Sequence, residues 1–140
     1  MQNKRKSILF VVISILALNL FGCAPKSKYK GTVLEPIDKL VNVLYFNTGT
    51  YSDYKAIFTN PDTALTEEEF NNFRKNPDKN EFKYGTDSPD EIMSHIKAIP
   101  ENDNLATVYY LEDVNKTDES ESSMQWKVEN KAGKWLLKND

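Results

Sequence analysis

A single thiol and a single imidazole limit the nucleophilic and acid–base chemistry of this 140-residue chain: Cys23 is its only cysteine and His95 its only histidine. One cysteine builds neither a disulfide framework nor a cysteine-based metal site. An imidazole held in a pocket can act as a general acid or base, worth about 10²–10⁴-fold in rate. His95 stands beside Ile92, Ile96 and Ile99, however, and that spacing fits a structural residue at a helix border, which is the role we expect. Tyr45, Tyr54, Tyr109, Tyr110 and Trp126 are candidate walls of a ligand pocket, although aromatics at such spacings mostly serve as core. Glu112, Asp113, Asp118, Glu119 and Glu121 make an acidic stretch. It lacks the set ligand positions and turn glycine of an EF-hand, so a solvated hairpin tip is expected there rather than a calcium site. The sequence has no glycine-rich phosphate loop, zinc-ligand spacing or Ser/His/Asp order. No metal and no cofactor are expected.

The surroundings of Cys23 give its thiol a different chemistry. Lys4, Arg5 and Lys6 precede an apolar run from Ile8 to Phe21, broken only by Ser14 and Asn19. The basic cluster holds the amino terminus on the cytoplasmic side. The run suits a signal h-region of about 7–15 residues and falls short of the roughly 20 needed to span a bilayer. It closes on Leu20-Phe21-Gly22-Cys23, which resembles the lipobox of bacterial lipoprotein signal peptides. The resemblance implies cleavage between Gly22 and Cys23, a thioether from Cys23 to diacylglycerol and acylation of the new amino terminus. Residues 1–22 would then be a signal peptide, 23–33 a lipidated cysteine with a basic tether, and 34–140 the domain. Other readings of the segment are an uncleaved anchor and a secreted protein cut near Ala24. Two acyl chains give stable anchoring, at about 0.8 kcal/mol per buried CH₂.

Composition narrows the partners. Residues 1–22 hold three of the 18 basic residues and none of the 21 acidic ones, so the remainder carries 15 against 21, a formal charge of −6. An acidic domain is a poor match for nucleic acid, whose phosphates demand clustered Lys and Arg. The abundance of Lys, Asn, Ile and Tyr suggests an AT-rich genome of Gram-positive type. The length suits one domain with a real core.

The elements that must position these residues are legible from periodicity. Pro36 at a first helical position opens a helix whose stripe is Ile37, Leu40, Val41, Leu44 and Tyr45, stopped at Thr48-Gly49-Thr50. A shorter helix is expected over Tyr51 to Phe58. Thr66 and Glu69 form a capping box for a third, with Phe70 and Phe73 inward. Glu81 to Gly85 reads as a short strand. Ser88-Pro89-Asp90-Glu91 starts another helix, expected to carry its Ile92, Ile96 and Ile99 stripe up to Pro100. The period then changes to two. Leu105 to Val114 is rich in β-formers, with Ala106, Val108 and Tyr110 on one face and Thr107, Tyr109 and Leu111 on the other. Met124, Trp126 and Val128 alternate with polar residues, Asn130 to Gly133 turns, and Lys134 to Lys138 returns. Trp126 and Trp135 are expected to be buried on neighbouring strands. Helices first and antiparallel strands last make an α+β fold.

Trp126-Lys127-Val128 with Gly133-Lys134-Trp135-Leu136-Leu137 resembles the last hairpin of NTF2-like domains in small bacterial lipoproteins. The likeness covers roughly residues 34–139. It implies a cone in which amino-terminal helices pack on a curved antiparallel sheet ending in a C-terminal β-meander. That family hosts enzymes, ligand-binding modules and assembly domains, so fold alone does not settle function. The expectation is a lipid-anchored, non-catalytic domain on the extracytoplasmic face of the cell membrane, presenting a cone pocket to a peptide, protein or small ligand. One alternative is a small enzyme using His95 or a buried acid. Another is a subunit of a cell-envelope machine such as a conjugation apparatus.

Overall fold

A computed structural model describes residues 26–76, 88–116, 122 and 124–139. The expected signal peptide with Cys23, the strand expected at 81–85 and the acidic residues Asp118, Glu119 and Glu121 lie outside the described residues. Among the described residues, four α-helices precede a four-stranded antiparallel sheet in simple meander order. The helices are α1 (Glu35–Leu40), α2 (Tyr51–Lys55), α3 (Glu67–Lys75) and α4 (Pro89–Ser94); the strands are β1 (Ile96–Asn102), β2 (Leu105–Tyr110), β3 (Met124–Lys131) and β4 (Lys134–Lys138).

The register sorts the sheet residues by face. Ile96, Tyr110 and Met124 align across β1, β2 and β3, as do Ala98, Val108 and Trp126; Ala106, Val128 and Leu137 align across β2, β3 and β4, and Trp135 stands opposite Asn130. These apolar side chains join Ile37, Leu40, Val41, Leu44, Ile57, Phe70 and Ile92 in one core cluster. Helices therefore cover this face. The other face carries Lys97, Ile99, Leu105, Thr107, Tyr109, Gln125, Lys127 and Leu136. Thr107 is buried there beneath a polar clasp, its hydroxyl donating to Glu101 while Lys127 Nζ pairs with the same carboxylate at 3.0 Å. That clasp holds the Glu101 carboxyl below its usual range, through the Thr107 hydroxyl first and then Lys127.

Several local signals work as expected. Thr66 Oγ1 accepts the Glu69 amide while Glu69 reaches back to the Thr66 amide, closing the capping box. Ser88 caps α4 by accepting from Glu91, with Pro89 following at N1. The β3–β4 turn places Ala132 at φ 52° and Gly133 at φ 83°, the mirror-image turn that matches strand twist. Asn130 Oδ1 accepts the Gly133 amide there at 2.9 Å.

Other elements differ. Pro36 is the second residue of α1 rather than the first, and α1 runs on into a wide π turn over Val41–Tyr45. The wider turn buries Val43 along with Val41 and Leu44. Helix α2 ends at Lys55 instead of Phe58, because the following backbone is claimed by β4: Leu137 N–H donates to Ile57 O and Thr59 N–H to Leu137 O, both at 2.8 Å. This parallel bridge covers part of an otherwise open edge.

The largest correction is at α4. It does not reach Ile99; it stops at Ser94, and Ile96–Asn102 is the edge strand β1. Spacings of four and three residues fit one helical stripe, but pairing with β2 sends Ile96 inward and leaves Ile99 41% exposed. Pro100 suits an edge strand, where one side of the backbone needs no ladder donor. The two tryptophans do lie on neighbouring strands and the core-facing side, but both are half-buried rather than enclosed.

Candidate functional site

Helix α1, the π turn, α2 and the start of β4 enclose a cleft of about 190 Å³ lined by Asp38, Lys39, Asn42, Val43, Asp53, Ala56 and Lys134. The i, i+4 spacing of Asp38 and Asn42 puts both on one flank of the helix, beside the apolar stripe that anchors it. Packing of that stripe takes Asp38 to 5% exposure.

Most charges around the cleft are committed elsewhere. Asp53 closes the cap of α2, its Oδ2 accepting the Thr50 amide at 2.7 Å and the Thr50 hydroxyl at 2.8 Å. Lys39 is paired with Glu35, whose other oxygen accepts the Gly31 amide at 2.6 Å. Burial pushes the Glu35 carboxyl up, but Lys39, the Gly31 amide and the more distant Lys134 outweigh it, leaving Glu35 below its ordinary value. Asp38 has much less. Asn42 Nδ2 donates to its Oδ1 at 3.2 Å and to its backbone carbonyl at 2.8 Å. Among the described residues, no other donor and no cation pairs with the carboxylate. Lys134, exposed at the cleft edge, donates to the Ala56 carbonyl at 3.4 Å.

A second hollow of about 310 Å³ lies on the other side of Asp38 and Asn42, lined also by Lys26, Ser27, Lys28, Ser88, Pro89 and Asp90. Its rim is closed by the Lys28–Asp90 ion pair at 2.6 Å, and that hydrogen bond raises the Lys28 ammonium above its usual value. Residues 26–33 run here in turns against the domain, and Tyr29 and Val33 pack on the core. A third, shallower hollow of about 400 Å³ brings together Val33, Pro100, Ala106 and Trp135.

The residues singled out from sequence do not converge. Tyr45 meets Phe73 edge-on at 5.5 Å, and Tyr54 is buried against Phe70 at 5.1 Å and Phe58 at 5.0 Å. Burial raises the Tyr54 phenol, despite the Leu65 amide that its oxygen accepts. Tyr110 is fully enclosed in the core, Trp126 lies half-buried on the same sheet face, and Tyr109 faces the opposite way. None of the five lines the three hollows described. His95 ends α4, its ring stacked on Tyr110 at 5.4 Å and its Nδ1 2.7 Å from the Leu111 carbonyl. A carbonyl only accepts, so Nδ1 carries the hydrogen. Glu112 and Asp113 follow β2, and Asp113 accepts from the Asn115 amide at 2.9 Å.

Asp38, Asn42 and Lys134 are absent from the sequence-derived candidates. On a helical wheel Asp38 and Asn42 read as a solvated polar flank, and only the approach of α2 and β4 makes that flank a wall. Among the described residues, no group of three or more His, Cys, Asp or Glu side chains could hold a metal ion, and no helix is long and apolar enough to cross a membrane. Comparison with protein-family models, curated proteins and solved structures finds no match to this chain.

Proposed function

We propose that this chain is a lipid-anchored extracytoplasmic domain of NTF2-like type that binds a ligand or partner without turning it over. The observation that carries binding is the α1–α2–β4 cleft, whose buried Asp38 has a single neutral donor. A donor from a ligand would give this carboxylate a second and stronger partner than the Asn42 amide. His95 lines none of the three hollows described, which supports a structural histidine over an acid–base one.

The anchor rests on Lys4 to Cys23. The fold is engaged from Tyr29 onward, so six residues, 23–28, separate the thiol from the first core contact, a reach of at most about 20 Å at roughly 3.3 Å each. The domain would thus be held close to the bilayer on the outer face of the cytoplasmic membrane. For the NTF2-like type, the support is a run of helices followed by a meander with helices on one sheet face. The cone-shaped pocket is better replaced by the cleft at Asp38, because the aromatic residues expected to wall a cone are scattered.

Complementation tests the non-catalytic reading. A strain lacking the chain is supplied with His95→Asn, whose amide nitrogen can replace Nδ1 as donor but which has no second ring nitrogen for proton transfer. Full restoration of the phenotype is expected. A protein present at normal level that restores nothing favours the enzyme.

A further inference from the structure

We propose that the cleft between α1, α2 and β4 binds a zwitterion of the α-amino acid class, its ammonium on Asp38 and its carboxylate on Lys134. This inference rests on the binding-domain reading and specifies its ligand. Lys39 is occupied by Glu35, and Asp53 by the Thr50 cap. What remains is one buried carboxylate with one amide donor and one exposed ammonium with a long bond to a carbonyl. Asp38 and Lys134 line the same 190 Å³ space. A small dipolar guest would offer each of them a partner of opposite charge.

An ammonium brings three donors to a carboxylate that has room for them, and a carboxylate gives Lys134 a stronger acceptor than the Ala56 carbonyl. Asn42 stands beside Asp38 to orient the pair. Val43 and Ala56 supply the apolar wall, which suits a short aliphatic side chain. A singly charged molecule would satisfy one end and leave the other uncompensated, so selectivity should come from carrying both charges.

The test is titration of the full chain, purified in detergent, with L-alanine, L-alaninamide and N-acetyl-L-alanine, followed by amide chemical shifts and calorimetry. L-alanine should give saturable shifts at Asp38, Asn42 and Ala56. L-alaninamide, which lacks the carboxylate, and N-acetyl-L-alanine, which lacks the ammonium, should each bind at least tenfold more weakly. Asp38→Asn should weaken L-alanine binding at least tenfold. Lys134→Gln, an exposed change that spares the fold, should remove the preference for L-alanine over L-alaninamide. Equal binding of L-alanine and L-alaninamide by the unaltered chain would overturn the role of Lys134, and equal binding of N-acetyl-L-alanine that of Asp38. Absence of cleft shifts with all three probes would overturn the ligand class. The broader binding reading would still stand if His95→Asn complemented, and would fall with it if that variant were inactive.

Discussion

His95 and Leu111 hold each other at both ends: the imidazole Nδ1 meets the Leu111 carbonyl at 2.7 Å, and the Leu111 amide donates to the His95 carbonyl at 3.0 Å. The pair fastens the end of α4 to the end of β2, with Tyr110 stacked beneath the ring. The histidine thus works as a joint between layers.

Removing that joint should be measurable. His95→Ala loses a hydrogen bond and an aromatic contact, together about 1–2 kcal/mol, and urea denaturation should show the loss. His95→Asn should recover much of it. A His95→Ala midpoint identical to that of the unaltered protein would show that the joint contributes nothing.

Ile96 and Ile99 distinguish an edge strand from a longer helix. Ile96→Ala should cost about 2–5 kcal/mol as a buried truncation. Ile99→Ala, on the uncovered face, should stay within about 0.5 kcal/mol. Similar losses at both positions would restore the helical stripe.

The helix caps give a simpler prediction. Thr66→Ala leaves the Glu69 amide without its acceptor and should destabilise the chain by about 0.5–2 kcal/mol. An unchanged denaturation midpoint would mean that α3 frays at no cost.

Glu35 should shape the acid limb of stability. Its folded pKa is lowered from an ordinary 4.5, so the unfolded chain takes up the proton first. The stabilisation is present above about pH 4.5 and is lost as pH falls through the folded value. In Glu35→Gln the stability difference between pH 7 and pH 3 should shrink relative to the unaltered chain. An unaltered difference would show that Lys39 and Gly31 do not hold the charged form.

Sequence reading succeeded where a local signal had one meaning. Thr66 with Glu69, Ser88 with Pro89, and Met124, Trp126 and Val128 each specify their element within a few residues. It failed where two periods overlapped. Ile92, Ile96 and Ile99 satisfy a helix as well as a helix followed by a strand, and only pairing with β2 decides. The shortening of α2 was hidden for the same reason, since β4 claims Ile57 and Thr59 from far along the chain. Asp38 could not be recognised as a wall because the cleft it lines is completed by α2 and β4, which its own helix does not encode. The tyrosines could be named but not placed together, because adjacency in sequence sends Tyr109 and Tyr110 to opposite faces.

On the proposed reading, Cys23 is the lipid-bearing first residue of the working protein. Intact-mass and peptide spectrometry of the protein extracted from its native membrane measures this directly. The expected amino-terminal peptide begins at Cys23 and carries a diacylglyceryl thioether, with residues 1–22 gone. A peptide running unbroken through Gly22 and Cys23, or one beginning elsewhere with Cys23 unmodified, would contradict it.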